Sequence, residues 1–311
     1  MNIAILGAGA MGSAIGALLH KAGNPVTLID VSRPTLEAVR TRGLIIQNKA
    51  GEQETVRVQI TDTPASVGVV DLLLVFVKCY HTEAAVQGAR SLVGPGTSIL
   101  SLQNGWGNAP RIASIAGEER VLAGVTYHSA TVLGPGHVLH SNKGKTVFGE
   151  LDGRMTDRVA RIEEAFRSSG LEVESSGQVL TEIWKKLALN CATLPTTSLL
   201  RFYAGQLVEH EGTLKLMRAI LAEVVQVAAA QRIAISEEER WETITSLLAR
   251  AAGAKSSMLQ DVENSRRTEI DVINGAIVEA GRRLGIPTPS NDAMYWLVRS
   301  LESTFPGASP P

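Results

Sequence analysis

Cysteine is scarce: Cys79 and Cys191 are the only two in 311 residues. They cannot supply a disulfide framework or a four-cysteine metal centre, and such usage fits a reducing compartment, so a cytoplasmic location and no metal site are expected. An excess of either charge is also missing, with 30 Lys+Arg against 31 Asp+Glu. That balance leaves no basic footprint for nucleic acid, and none is expected as a partner. Long apolar runs are absent as well. Asp71 and Lys78 close off residues 72–77, far short of the roughly 18 to 20 residues of a membrane span, so membrane insertion is excluded. The apolar stretch 3–19 lacks the charged start of a signal peptide and carries Gly7, Gly9, Gly12 and Gly16, and it reads as retained structure.

What is present is an ordinary globular balance, 44% hydrophobic and 20% charged, on a chain long enough for two domains. Short β-branched runs at residues 2–6, 26–30, 70–77, 98–102 and 121–126 alternate with helical patterns and predict a buried parallel sheet. Residues 137–149 read as a hairpin turning at Asn142-Lys143-Gly144, and residues 171–175 as one last strand. Beyond Gly177 long helical patterns dominate, at 181–190, 212–231, 237–252 and 257–284, with Pro195 expected to break the first region. Ser257 followed by Gln260 suggests a capping box for the last of these, and Gly285 with Pro287 a stop. The tail, residues 306–311, is expected to lack structure.

The first strand runs straight into Gly7-Ala8-Gly9-Ala10-Met11-Gly12 and then a helical stretch. In that context the first glycine permits a tight turn, the second lets backbone approach a pyrophosphate, and the third allows helix to pack on strand. A dinucleotide is the natural ligand. Asp30 closes the second strand, where an acidic side chain accepts from ribose hydroxyls and points to NAD, whereas Arg33 three residues on could pair with the 2′-phosphate of NADP. The balance favours NAD. The fold expected is therefore α/β: an N-terminal Rossmann-type doubly wound, dinucleotide-binding domain over residues 1–177, then an all-α C-terminal domain over 178–311 for substrate and dimerisation.

Lys186 and Asn190 stand four apart in a helical pattern and so share one face. A partly desolvated lysine can donate a proton to a carbonyl oxygen as it becomes an alkoxide, with the asparagine holding substrate. From spacing alone, a solvated helical lysine beside an incidental asparagine is the commoner arrangement.

Taken together, Gly7-x-Gly9-x-x-Gly12, Val77-Lys78, Gln103-Asn104-Gly105, Pro135-Gly136, Trp184-Lys185-Lys186-Leu187 with Asn190, and Ser257-Met258-Leu259-Gln260-Asp261 leading to Thr268-Glu269-Ile270 resemble the ketopantoate reductase family over almost the whole chain. The resemblance implies nicotinamide-dependent reduction of 2-dehydropantoate to D-pantoate, with substrate between the two domains. It makes Lys186 the general acid, Asn190 and Ser257 substrate ligands, and Glu269 a residue at the cofactor and lysine end of the cleft. Lys78, Asn104 and Ala130 would line the cofactor side.

Two positions depart from that family. Its asparagine before the proline is here Leu194, and its later Asn-Gly before an acidic residue is here Ala204-Gly205-Gln206. Losing two amides, each worth roughly 0.5–1.5 kcal/mol net as a hydrogen-bond partner, makes the substrate side more apolar. A bulkier, less hydroxylated 2-oxo acid is the rival substrate, and a cofactor-binding regulator without catalysis is the reading from another class. A homodimer is the base-rate expectation for the assembly.

Overall fold

The structure, a computed structural model, describes residues 1–307. It divides into two compact units, one of residues 1–103 and 108–179, the other of residues 104–107 and 180 onward. The expectation for the tail falls from residue 308 on outside the described residues.

The first unit is built on twelve strands: β1 (Ile3–Leu6), β2 (Val26–Ile29), β3 (Leu44–Asn48), β4 (Gln53–Val56), β5 (Gln59–Thr61), β6 (Leu72–Val75), β7 (Ser98–Ser101), β8 (Val121–Thr126), β9 (Ser129–Gly134), β10 (His137–Asn142), β11 (Thr146–Glu150) and β12 (Val173–Ser175). Eight of them form one sheet in the order β12-β11-β8-β7-β6-β1-β2-β5. From β5 to β8 every pairing is parallel, and β11 runs antiparallel to β8. That order, with the first strand central and the crossovers running outward on both sides of it, is the doubly wound arrangement. All residues of β1, β6, β7 and β8 are buried, as expected for strands covered on both faces by helices. The helices of this unit are α1 (Ala10–Lys21), α2 (Arg33–Arg42), α3 (Thr82–Gly88), α4 (Asn108–Ala116) and α5 (Asp157–Ser168).

A second sheet, β4-β3-β10-β9, was not expected. It corrects the hairpin reading. Strands β10 and β11 do not pair: β10 pairs with β9 through the Pro135-Gly136 turn and with β3, while β11 joins the large sheet. Gly136 adopts φ +66, a left-handed turn conformation that glycine takes without a Cβ penalty. This small sheet packs on α1, and the buried His128 and His140 meet at its start, Nδ1 to Nε2 at 2.9 Å. Burial and the neighbouring imidazole push His128 down to about 4.

The regular structure of the second unit is helical among the described residues, with α6 (Val179–Leu200), α7 (Gln206–Glu209), α8 (Glu211–Ala230), α9 (Glu237–Arg250), α10 (Ser257–Glu263), α11 (Asn274–Leu284) and α12 (Pro289–Glu302). Pro195 does not break α6, contrary to expectation. Proline lacks the N–H that would close on the Cys191 carbonyl one turn earlier. Asn274 supplies the donor instead, its Nδ2 lying 3.2 Å from Cys191 O. The same amide donates to Asn291 Oδ1 at 3.0 Å, and Asn291 Nδ2 donates to Glu223 Oε2 at 2.8 Å. Glu223 also accepts from the backbone amides of Ser290 and Asn291. A carboxylate on α8 thus caps the first turn of α12, where open N–H groups and the helix dipole both favour negative charge.

The long helix expected over 257–284 is likewise corrected. It stops at Glu263, Ser265 takes φ +50, and α11 begins only at Asn274. Asn264 and Ser265 are turn formers rather than helix formers, and Glu302 captures the intervening backbone by accepting from Thr268 N and Oγ1. The N-cap of α10 is Ser256, which accepts from Leu259 N at 3.1 Å, and not Ser257. Gly285 does end α11, in the left-handed conformation.

Candidate functional site

In the first unit the glycine turn is fixed by its own backbone. Gly7 has φ +98, and a Cβ there would stand 3.0 Å from the Val77 nitrogen. A Cβ on Gly12 would lie 1.9 Å from Gly7 O, so only glycine lets α1 pack this tightly on the turn. Gly9, by contrast, faces open space. It is the N-cap of α1, whose first turn, including Ala10 and Met11, carries no acidic residue and whose cap makes no side-chain hydrogen bond. Backbone N–H groups at an open helix start are suited to a phosphate. The residues present therefore fit a dinucleotide.

Asp30 reaches back to this turn. Its Oδ2 accepts from Ala8 N at 2.7 Å and its Oδ1 from Ser32 N at 2.8 Å, so the carboxylate ties the glycine turn to the start of α2. Each oxygen retains a further lone pair. Arg33 is exposed at the first position of α2. Lys78 is half-buried, next to the Val77 that touches Gly7, and it precedes the tight turn Cys79–His81. Gln103 Nε2 donates to Val77 O at 2.7 Å and to Thr82 Oγ1 at 2.8 Å, holding that strand end in place. Ala130 lies on β9, opposite His140.

In the second unit a separate cluster forms around Lys186. Its Nζ donates to Asn104 Oδ1 at 2.8 Å. Burial pushes the ammonium down to about 8, and the Glu269 carboxylate opposes that shift. Glu269 is itself buried, in the bend between α10 and α11 and not on a helix. Asn190 is buried one turn along the same helix face. Leu194, half-buried, comes one turn further. Around it the hydroxyls of Thr193, Thr196 and Ser198 bond back to the carbonyls of Leu189, Ala192 and Leu194.

Lys186, Asn104 and Glu269 are thus brought together, although they come from three distant stretches of sequence. Ser257 is not among them. It is exposed at the first turn of α10, while its neighbour Ser256 meets Thr197 at 2.7 Å, eleven residues or roughly 16 Å along α6 from the lysine at 1.5 Å per residue. The Trp106 N–H donates to Val272 O at 2.8 Å and so fixes the segment that carries Asn104; this pair escapes a reading of the sequence because nothing in their spacing relates residues so far apart. Two buried free thiols are present, and no cluster of potential metal ligands occurs among the described residues. No described helix is long and apolar enough to cross a membrane.

Comparison with known proteins shows the family of the whole chain. Residues 3–153 match the family Ketopantoate reductase PanE/ApbA, and residues 178–302 match its C-terminal counterpart. The 2-dehydropantoate 2-reductase of Archaeoglobus fulgidus is 33% identical over 97% of this chain and 98% of its own, and that of Pyrococcus horikoshii 32% identical over 99% and 100%. Among solved structures, a PanE/ApbA family ketopantoate reductase from Ralstonia eutropha superposes with a TM-score of 0.90 at 33% identity, covering 97% of this chain and 99% of the other. D-mandelate dehydrogenase, solved with NADH and anilino(oxo)acetate, gives a TM-score of 0.92 at 30% identity, covering 98% and 99%. With both halves matched in order and relatives aligned over nearly their full length, the chain belongs to the ketopantoate reductase family.

Proposed function

We propose that the protein is a nicotinamide-dependent oxidoreductase that reduces a 2-oxo acid, with 2-dehydropantoate, converted to D-pantoate in pantothenate biosynthesis, as the first candidate. The observation that carries this reading is Lys186, half-buried, paired with Asn104 and with the Glu269 carboxylate favouring its charged form. A reduced nicotinamide, when bound, supplies the hydride. The glycine turn from Gly7 to Gly12 would hold its pyrophosphate, with Lys78 and Ala130 toward the same half, and Asp30 favours NAD because a carboxylate accepts ribose hydroxyls and repels a 2′-phosphate.

Lys186 holds a proton at Nζ and releases it to the substrate oxygen as negative charge develops there. Its charge also attracts the substrate carboxylate. Asn190 binds the substrate through neutral hydrogen bonds, and Ser257 is assigned to the substrate's far end. Glu269 acts through the lysine, keeping more of it protonated than burial alone would allow. The chain acts as two domains, dinucleotide-binding then substrate-binding, working as a cytoplasmic homodimer. The two reduced, buried cysteines fit that compartment.

A second reading has a specific observation behind it. Leu194 offers an apolar surface one turn beyond Asn190, and the resemblance to D-mandelate dehydrogenase is as close as that to the reductases. A bulkier, less polar 2-oxo acid suits that surface. Replacing Lys186 by Ala tests the shared core of both readings. Turnover falls by about 10² to 10⁴, the usual worth of a positioned general acid, and unaltered turnover would remove the lysine from the mechanism.

A further inference from the structure

Asn104 reaches Lys186 from a four-residue segment, 104–107, that follows β7 and precedes α4 yet clusters with the second unit. Two features fix this segment, and both are at Val272. Trp106 N–H donates to Val272 O at 2.8 Å. Gly105, with φ +84, lies so close that a Cβ on it would stand 2.2 Å from the same oxygen and 2.6 Å from Val272 Cγ2. Glycine alone allows both the approach and the left-handed backbone. Val272 in turn belongs to the tight turn that Glu269 opens, its N–H donating to Glu269 O at 3.1 Å. One backbone turn therefore carries Glu269 at its start and, at its end, the carbonyl that anchors Asn104.

We propose that the Val272 carbonyl sets Asn104 and Glu269 in fixed relation around Lys186, which makes Gly105 and Val272 positioning residues for the proton donor. The inference rests on Lys186 as general acid. A proton donor must sit within about 2.6–3.2 Å of its partner in a productive geometry, and a loop anchored only by its own side chains would not keep Asn104 to that tolerance. Val272 holds it through backbone, which no rotamer change can release.

The test is Gly105→Ala, compared with Asn104→Ala, the double variant and Lys186→Ala. In Gly105→Ala, kcat falls about tenfold to a hundredfold while the cofactor KM stays within about twofold, the signature of a group acting on the chemical step. The alkaline limb of the kcat–pH profile moves to lower pH by about one unit, because the ammonium has lost an acceptor that favours its charged form. Asn104→Ala reproduces the shift, and the double variant adds nothing further. The inference is overturned by wild-type kcat in Gly105→Ala, by a loss of kcat with an unmoved limb, or by additive effects in the double variant. If Gly105→Ala does not fold, Trp106→Pro, which deletes the amide donated to Val272, carries the same readouts, and each outcome supports or overturns the inference in the same way. Full activity in Lys186→Ala would instead sink the general-acid reading itself, a result separate from any behaviour of Gly105.

Discussion

Lys186 Nζ and Asn104 Oδ1 lie 2.8 Å apart although the residues are 82 positions apart in sequence. The asparagine accepts from the ammonium, while burial opposes the lysine's charge and the Glu269 carboxylate favours it. The balance leaves the lysine titrating near 8 rather than near 10.5, which suits a group that must give up a proton during turnover.

The pH dependence follows with a definite sign. Reduction needs the protonated lysine, so kcat for reduction holds below about pH 8 and falls roughly tenfold per unit above it. Oxidation of the hydroxy acid needs the neutral amine and rises through the same range. Glu269→Gln removes the charge that raises the lysine, so both limbs move to lower pH by about one unit. Profiles of kcat in both directions check this, and an unmoved or raised limb in Glu269→Gln would count against the pairing.

Asp30→Ser separates the two tasks of that carboxylate. With the charge gone, the ratio of kcat/KM for NADH to that for NADPH falls about tenfold or more, the equivalent of one charged hydrogen bond. Because Ala8 and Ser32 also lose their acceptor, affinity for NADH falls in absolute terms too. Equal losses with both cofactors would mean that Asp30 serves only to brace the glycine turn.

Asn274→Ala leaves the Cys191 carbonyl without the donor that Pro195 cannot supply. Such a buried vacancy costs about 1–3 kcal/mol. In a Pro195→Ala background the helix provides its own N–H, and the cost of Asn274→Ala shrinks by about 1 kcal/mol. Urea unfolding of the four proteins measures that coupling, and strict additivity would show that the two residues do not compensate each other.

The glycine turn is legible in the sequence because its demands are backbone demands. Positive φ at Gly7 and the close approach at Gly12 can be met by one residue type only, and the flanking strand runs are continuously apolar because both sheet faces are covered. The second sheet is not legible. Its strands are half-exposed, and β3 finds its partner β10 about ninety residues away. Pro195 misleads because the group that compensates for it, Asn274, lies far along the chain. The bend at residues 264–269 falls in a polar stretch between Val262 and Ile270 that holds no glycine or proline to mark a break, so the pattern puts Glu269 on a helix when it sits in a turn. Of the site itself, Lys186 and Asn190 show as a helix face, whereas nothing local ties Asn104 or Val272 to them.

The most direct measurement is the loss of nicotinamide absorbance from NADH and NADPH, in parallel, with 2-dehydropantoate and a panel of branched and aromatic 2-oxo acids. The expected result is rapid reduction of at least one of these acids that disappears in Lys186→Ala. A far higher kcat/KM for 2-dehydropantoate makes Leu194 and Ala204 tolerated changes, and a higher value for a less polar acid makes them the determinants of specificity. Tight binding of NADH with no 2-oxo acid reduced would contradict the account and leave a cofactor-binding protein without this chemistry.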